Sequence, residues 1–333
     1  MKTILTIVVG MLVFSVFAQK DTLYGGFSEI VIHEQRLGIP FKQSSRSIDI
    51  VTAEVMAASS ADNVAELLND VAGVDVRQRG PHGVQSDVGI RGGNFDQTLI
   101  LINGIKLSDP QTGHHNMNIP VAIEDIERIE VLKGPAARIY GANGFSGAIN
   151  IVTKKPNENS ISVGVHTGDY QLLDMRIGIS NTFGKYGQSA SYSRNASDGY
   201  KYNTDYEIEH YTYQGSLGSN GNQLNLLASH SSRKFGANGF YASPDFMDQY
   251  EETHTSFVSL DYSKLIGGWY INPKVSYRRN KDDYVFLREN PSFFNNVHIS
   301  EVLNGELQAR SSNPLGIFQI GAEYNMMNLT ENL

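Results

Sequence analysis

Few residues in this sequence fall into a spacing that could carry catalysis or hold a metal ion. The adjacent pair His114-His115 offers two imidazoles. Neighbouring residues on a strand point to opposite faces, so a polar loop is the better interpretation of this pair. Four acidic residues gather in another predicted loop, at Asp245, Asp248, Glu251 and Glu252. Their spacing is not that of an EF-hand, which favours a solvated charge cluster and leaves calcium binding by loop 245–252 open.

Composition removes most other kinds of chemistry. The 333 residues include no Cys, which excludes disulfides, Cys-ligated zinc and thiol catalysis. Gly141, Gly144 and Gly147 fit neither phosphate-binding pattern, GxGxxG or GxxxxGK[ST]. A net charge of −8 argues against a nucleic-acid partner. The sequence therefore predicts no enzyme, no cofactor and no resident metal.

The first residues have the order of an export signal. Lys2 precedes an apolar run over 4–17, and Ala18 ends a short segment suited to cleavage. The run is too short for a spanning helix, and a buried N-terminal strand is the alternative. We expect a signal peptide over 1–18 and a polar, flexible arm over 19–45.

Residues 46–156 read as a compact α+β region. Apolar residues at Val64, Leu67, Leu68 and Val71 share one helix face, with Ser60 or Asp62 as the cap and Gly73 beyond its end. Strands are predicted at 48–51, 74–77, 88–91, 98–102, 129–132 and 147–154. Asn103-Gly104 predicts a two-residue hairpin turn, because both residues tolerate positive φ.

From about residue 160 the apolar residues alternate with polar ones. Leu173, Met175, Ile177 and Ile179 set the pattern, which recurs over 211–217, 258–262 and 318–324. This period of two gives each strand one apolar face. A soluble sandwich alternates in the same way. The export signal, strand lengths near ten residues and aromatic residues near strand ends favour a membrane β-barrel of which roughly nine strands are present.

One ordered set of motifs carries a family resemblance. It consists of IRG at 90–92, LING at 101–104, IERIEVLKGP at 126–135, Tyr140-Gly141, and GAINIVTK at 147–154. In this order and spacing the set closely resembles the plug domain of TonB-dependent outer-membrane receptors, of a Bacteroidetes type similar to cobalamin receptors.

The resemblance implies a fold: an α+β plug domain (46–156) inside a transmembrane antiparallel β-barrel that begins at 157–333. Barrels with a plugged lumen use about 22 strands, so only the first strands would be present. Either the chain is incomplete or its partner strands lie elsewhere, and the wall should stay open.

It also implies a mechanism in the outer membrane. A TonB box at Glu29, Ile30, Val31 and Ile32 would bind the TonB complex by pairing with a sheet edge, although a strand of the plug itself is the alternative. Arg91 and Lys133 match the family's plug–barrel ionic lock. Their partner acids are expected beyond residue 333.

Substrate choice rests on the resemblance and on loop composition. Cobalamin ranks first, with a ferric siderophore or haem as alternatives, and a non-transporting binding or signalling receptor as a different class. Two polar plug loops, 78–87 and 108–118, are expected to point outward, and barrel aromatics should add to them. The predicted ligand residues are Arg79, His82, Gln85, Gln111, His114, Asn116, Phe240, Tyr241 and Phe246. Expected partners are TonB, outer-membrane lipid and a surface lipoprotein.

Overall fold

The computed structural model describes residues 47–332 except 81, 136–142, 220, 242, 244 and 315, together with the backbone of 31–32 and 39–40. The N-terminal pieces form two short strands, β1 (Val31–Ile32) and β2 (Ile39–Pro40), which pair antiparallel. The signal peptide predicted over 1–18 lies outside the described residues.

Seven further strands build the first unit, the plug. They are β3 (Ser47–Thr52), β4 (Val74–Arg79), β5 (Gln85–Ile90), β6 (Thr98–Ile102), β7 (Ile105–Lys106), β8 (Ile126–Lys133) and β9 (Gly147–Thr153). Five of them form a mixed sheet in the order β3-β8-β9-β6-β7, in which β6 and β9 run parallel. Strands β4 and β5 form a separate hairpin. The predicted α+β class is confirmed, and each predicted strand is present with bounds that differ by a few residues.

Two short helices cross the plug, α1 (Ala53–Ala58) and α2 (Val64–Asn69). The cap of α2 is Asn63, whose Oδ1 accepts from the backbone N–H of Glu66 at 3.1 Å. The expected caps Ser60 and Asp62 were wrong by a few residues. The carboxylate of Glu66 instead accepts from the N–H of Asp62 at 3.0 Å, so the helix start is bonded in both directions. Helix α1 was not predicted.

The hairpin between β6 and β7 turns where the sequence predicted it. Asn103 and Gly104 have φ of 51° and 78°, the conformation of a type I′ turn. The side chain of Asn150 on β9 accepts from the N–H of Gly104 at 2.8 Å. Asn103 Oδ1 accepts from the N–H of Thr153 at 3.0 Å. The turn is thus bonded to the neighbouring strand at both of its residues.

Nine strands form the second unit, the wall. They are β10 (Ser160–Thr167), β11 (Leu173–Phe183), β12 (Tyr186–Ser197), β13 (Tyr206–Ser219), β14 (Asn222–Gly236), β15 (Tyr250–Ile266), β16 (Trp269–Val285), β17 (Asn295–Asn313) and β18 (Gly316–Asn332). Each pairs antiparallel with the next, in one sheet ordered β10 to β18. Within the described residues the sheet is open, with β10 and β18 at its edges. The predicted strand number and the open wall are both confirmed.

The two faces of the wall differ in chemistry. Side chains in register across neighbouring strands form an exposed apolar row on the outer face: Tyr213, Val258, Tyr277, Leu303 and Met326. The inner face carries buried polar residues, and Leu227 and Phe257 from it join the plug core. The plug therefore packs on the polar face of the wall, and the apolar face points away from it. No helix in the described part of the chain is long and apolar enough to cross a membrane.

Candidate functional site: the outer plug loops and the plug–wall contact

The first predicted loop is held by contacts to the wall and to its own strands. Arg79 Nη1 donates to the carbonyl of Phe240 at 2.6 Å. His82 stacks on Tyr206 with ring centroids 4.9 Å apart. Gln85 lies at the start of β5, is 3% exposed, and neither of its amide atoms has a hydrogen-bond partner among the described residues.

The second predicted loop forms a 3-10 helix, Gly113–Met117, capped by the hydroxyl of Thr112. His114 Nδ1 lies 2.5 Å from Asp87 Oδ1. Gln111 Nε2 donates to Asp282 of the wall at 2.9 Å. Asn116 is 6% exposed, and its Oδ1 accepts from the N–H of Asp109 at 3.1 Å.

The expectation that both loops present all their polar residues outward is therefore wrong for Gln85 and Asn116. Both are buried. The amide oxygen of Asn116 accepts an internal hydrogen bond, whereas both amide atoms of Gln85 are buried without a partner among the described residues. Arg79, His82, Gln111 and His114 keep partial exposure and stay predictions as ligand contacts.

The three predicted aromatics form contacts of their own. Phe240 stacks on Phe235 at 6.2 Å and contacts Tyr241 edge-on at 6.2 Å. Phe246 is 46% exposed and lies 5.1 Å from the ring of Phe286. Phe246 is the most accessible of the three, so it is the strongest candidate for stacking on a ligand.

Below these loops, buried ion pairs join plug and wall. Asp109 Oδ2 accepts from Arg278 Nη1 on β16 at 2.6 Å and from Ser300 Oγ on β17 at 2.9 Å. Burial opposes ionisation of Asp109, but the positive charges of Arg278 and His115 outweigh it and lower the pKa of the carboxyl. This pair contributes to a fixed orientation of the 108–118 segment on the wall.

A second cation of the wall, Arg233, donates hydrogen bonds to backbone carbonyls of the plug. Arg233 on β14 is buried, and its guanidinium faces the carbonyls of Gly83, Met117 and Ile119 at 3.3–3.5 Å. Gly83 lies in the middle of the first predicted loop, and Met117 and Ile119 lie at the C-terminal end of the second. Arg233 therefore ties the two loops to one point of the wall.

The predicted ionic lock differs from the expectation. Lys133 pairs with Asp49 on the adjacent plug strand β3, not with a wall carboxylate, because β3 and β8 lie side by side. Arg91 is exposed at positive φ, and no ion pair of it occurs among the described residues. Lys106 is a plug cation that does pair with a wall carboxylate: its Nζ donates to Glu323 on β18 at 2.6 Å.

His115 lies at a point where the plug meets two wall strands. One ligand atom each from His115, Glu251 and Asp282 lie within 4.8 Å of one another, and all three residues are buried. Burial opposes protonation of His115, yet the hydrogen bond and charge of Asp282 raise its pKa overall. The sequence predicts a polar loop at the His pair and no metal. The cluster has no local signal in the sequence, because its three residues are 31 to 167 positions apart.

The other acids of loop 245–252 do not join Glu251. Asp248 accepts from the hydroxyl of Tyr202 at 2.5 Å, and Glu252 accepts from that of Tyr250 at 2.7 Å. Asp245 accepts from Ser243 at 3.1 Å. Each carboxylate therefore has its own local partner, and Glu251 is separate because it points to the inner face.

The predicted TonB box falls partly outside the described residues, since Glu29 and Ile30 are not described. Val31 and Ile32 form β1, which pairs with Ile39–Pro40. The extended backbone of this segment is the conformation that pairing with a partner's sheet would need.

Comparison with known proteins adds family evidence to this geometry. A family model described as the TonB-dependent Receptor Plug Domain matches residues 40–148. The chain is 31% identical over 134 residues to the vitamin B12 transporter BtuB of Vibrio vulnificus, a match over 40% of this chain and 22% of that protein. A second relative of the same name, from Photobacterium profundum, is 32% identical over 147 residues, 43% of this chain and 24% of its own.

Among solved structures, the ferric citrate transporter FecA in its unliganded form superposes with a TM-score of 0.72 at 17% identity. That match covers 87% of this chain and 48% of FecA. At such identity the likeness shows the fold alone. The chain spans less than half the length of that receptor.

Residues 40–148 thus belong to the plug domains of TonB-dependent receptors, and the wall that follows has the fold of the receptor barrel. The family predicted from the sequence motifs is confirmed. The family match covers this plug region, and the rest of the chain shares the fold of such receptors.

Proposed function

We propose that this protein resides in the outer membrane and takes up cobalamin in a TonB-dependent manner. The observation that supports this substrate is the sequence identity of 31% over 134 residues and 32% over 147 residues to two proteins named vitamin B12 transporters. The ferric citrate transporter FecA resembles the chain in fold at 17% identity, and a likeness at that level gives no information on substrate.

The outer plug face fits a large ligand with many amide groups. Gln111 and His114 are partly exposed there, and Phe246 adds an accessible aromatic ring on the wall side. Asp87, an acid of the first loop, is buried and already paired with His114, whereas Asp245 beside Phe246 is exposed. The loop residues themselves therefore offer hydrogen bonds and stacking, which suits a ligand rich in amide groups such as cobalamin.

Coupling would act through the segment 29–32, which lies N-terminal to the plug. TonB pairing with this segment would transmit force along the chain to β3, the edge strand of the plug sheet. Lys133 of β8 binds Asp49 of β3, so this ion pair lies in the path of that force. Arg91 stays the candidate for a lock contact with the wall.

Equilibrium binding to the receptor expressed from its full reading frame tests the substrate. We expect cyanocobalamin to bind and a ferric siderophore not to bind. Replacing His114 by Ala or Phe246 by Ala should weaken binding. His166→Ala is the control, because His166 is exposed on β10 and is not among the predicted ligand residues.

If the ferric siderophore binds and cyanocobalamin does not, the substrate is a siderophore and not cobalamin, and the receptor class is unchanged. Unchanged affinity in both variants would move the ligand site away from the outer plug face. Wholesale replacement of the two loops is not a clean test, because Gln85, His115 and Asn116 are buried in the fold.

A further inference from the structure

The cluster of His115, Glu251 and Asp282 combines one imidazole with two carboxylates at the plug–wall contact. None of the three is needed to define the receptor class or the outer ligand face. The cluster also joins separate parts of the molecule: a 3-10 helix of the plug and the two wall strands β15 and β16.

The wall register explains how the two acids meet. Asp282 is opposite Thr253, so Glu251 lies diagonally from Asp282 on the same inner face of adjacent strands. His298 on β17 is directly opposite Asp282. Its Nδ1 lies 3.6 Å from Asp282 Oδ2, and His115 Nε2 lies 3.5 Å from the same oxygen.

Few positive charges lie close to the two carboxylates of this cluster. The buried guanidinium of Arg233 acts on Glu251 only beyond ion-pair distance, and that of Arg278 is committed to Asp109 at 2.6 Å. Gln111 Nε2 donates to Asp282 Oδ2 at 2.9 Å. In the described part of the chain no Lys or Arg forms an ion pair with Glu251 or Asp282. Asp282 is 5% exposed, yet its Oδ1 accepts no hydrogen bond, and Nδ1 of His298 is also buried without one. Buried groups of this kind call for a bound ion or water.

The outer contacts of the two histidines differ. His298 Nε2 lies 2.9 Å from Glu331 Oε1, the kind of contact by which a ligating imidazole donates its other N–H to a carboxylate. His115 Nδ1 lies 3.1 Å from Nδ2 of Asn118, an amide donor, so metal binding through His115 Nε2 would require the proton to move off Nε2 and the Asn118 side chain to turn.

We propose that His115, Glu251 and Asp282 bind a divalent transition-metal ion of the zinc class that bridges plug and wall. Imidazole nitrogen together with carboxylate oxygen suits Zn²⁺, whereas Ca²⁺ and Mg²⁺ prefer sites built of oxygen alone. The 3.5 Å between His115 Nε2 and Asp282 Oδ2 agrees with two ligands of a tetrahedral site whose bonds are about 2.0–2.1 Å long. The ion would neutralise both acids and hold the 3-10 helix on the wall.

Calorimetric titration of the full-length, chelator-treated receptor with zinc chloride tests the site. We expect one tight zinc ion per receptor in the wild type. His115→Ala and Asp282→Asn should weaken zinc binding by more than about 10-fold. His114→Ala is the matched control, because the adjacent histidine contacts Asp87 and is not part of the cluster. It should bind zinc as the wild type does.

A wild type that binds no zinc, or His115→Ala that binds zinc with unchanged affinity, would overturn the proposal. Equal loss in His114→Ala would assign the ion to the outer loop and would also overturn it. Anomalous scattering at the zinc edge from wild-type crystals decides the matter even where a variant fails to fold. A peak among His115, Glu251 and Asp282 is expected, and its absence counts against the site. Cobalamin binding is measured separately, so this result and that for the proposed function are distinguishable.

Discussion

Charged side chains at the plug–wall contact are buried together with their partners. The side chains of Asp109 and Arg278 are 0% and 2% exposed, whereas those of Asp75 and Arg77, a pair within β4, are 62% and 78% exposed. Removing one member of a buried pair leaves an uncompensated charge in a low-dielectric site, whereas water screens an exposed pair. The two pairs therefore allow a matched comparison.

Asp109→Asn should loosen the outer plug segment strongly. Asn keeps the shape of the side chain but leaves Arg278 buried without its counter-charge, at a cost of about 3–5 kcal/mol. Amide hydrogen exchange over residues 109–118 measures this cost as a lower opening free energy. Asp75→Asn should change the opening free energy of its own hairpin by less than about 1 kcal/mol. Equal effects in the two variants would contradict the account of this contact.

At the scale of single residues, local features such as turns can be predicted from the sequence better than the partners of individual side chains. The turn at Asn103-Gly104 was predictable because its signal is local. That Lys133 pairs with Asp49, and Lys106 with Glu323, depends on strand order and on packing of the plug against the wall. The burial of Gln85 and Asn116 has the same origin, so polar composition alone placed them wrongly in an open loop.

Among the elements, β9 is the most constrained strand of the plug. It runs between β8 and β6, and all seven of its residues are buried. Gly147 at its start has no space for a side chain: an added Cβ would meet the carbonyl oxygen of Leu132 and, at 2.7 Å, Cδ1 of Ile90. The glycine is needed here for the close approach of two backbones.

Gly147→Ala should therefore destabilise the plug by about 1–3 kcal/mol, the usual cost of overpacking a filled core. Gly305→Ala on β17 is the control, because nothing lies within 4 Å of its added Cβ and its φ is not positive. Thermal unfolding of the plug within the full-length receptor, followed by calorimetry, gives both values. A stable Gly147→Ala variant would show that β8 and β9 are farther apart than described.

Some elements can be predicted from the periodicity of apolar residues in the sequence, and others cannot. Alternation over 160–333 predicts wall strands because every strand exposes one apolar face. Helix α1 escaped prediction because its six residues are too few to display a period. The register that brings Glu251, Asp282 and His298 together is a property of three paired strands, which no single segment encodes.

On the scale of the whole molecule, the plug contacts the wall through carboxyl groups as well as through apolar side chains. Asp125, at the end of the 3-10 helix Ile123–Asp125, accepts from Ser191 Oγ on β12 at 2.7 Å. Burial raises the pKa of Asp125, and the hydrogen bond from Ser191 and the charge of Lys154 offset only part of that effect. Ionisation of Asp125 is therefore disfavoured in the folded protein and lowers the free energy of unfolding.

The pH dependence follows from the direction of this shift. The pKa of Asp125 in the folded protein lies above the ordinary value of 3.8. The free-energy cost of ionising this carboxyl in the folded state is therefore absent well below pH 3.8, and it grows until the pH exceeds the pKa in the folded protein. Asp125→Asn keeps an acceptor for Ser191 but cannot ionise. Its melting temperature should exceed that of the wild type at pH 7 and approach it as the pH falls toward 4. A difference that does not vary with pH would contradict this assignment.

We propose that the molecule is an energised transporter of cobalamin, and uptake by living cells tests this proposal most directly. Cells that express the full reading frame would be compared with cells carrying Ile30→Pro, which removes a backbone donor from the TonB-pairing segment. We expect labelled cobalamin to accumulate in the first cells, and in the second to bind at the surface without accumulating. Equal accumulation in both would contradict coupling through residues 29–32, and surface binding without accumulation in the wild type would contradict transport itself.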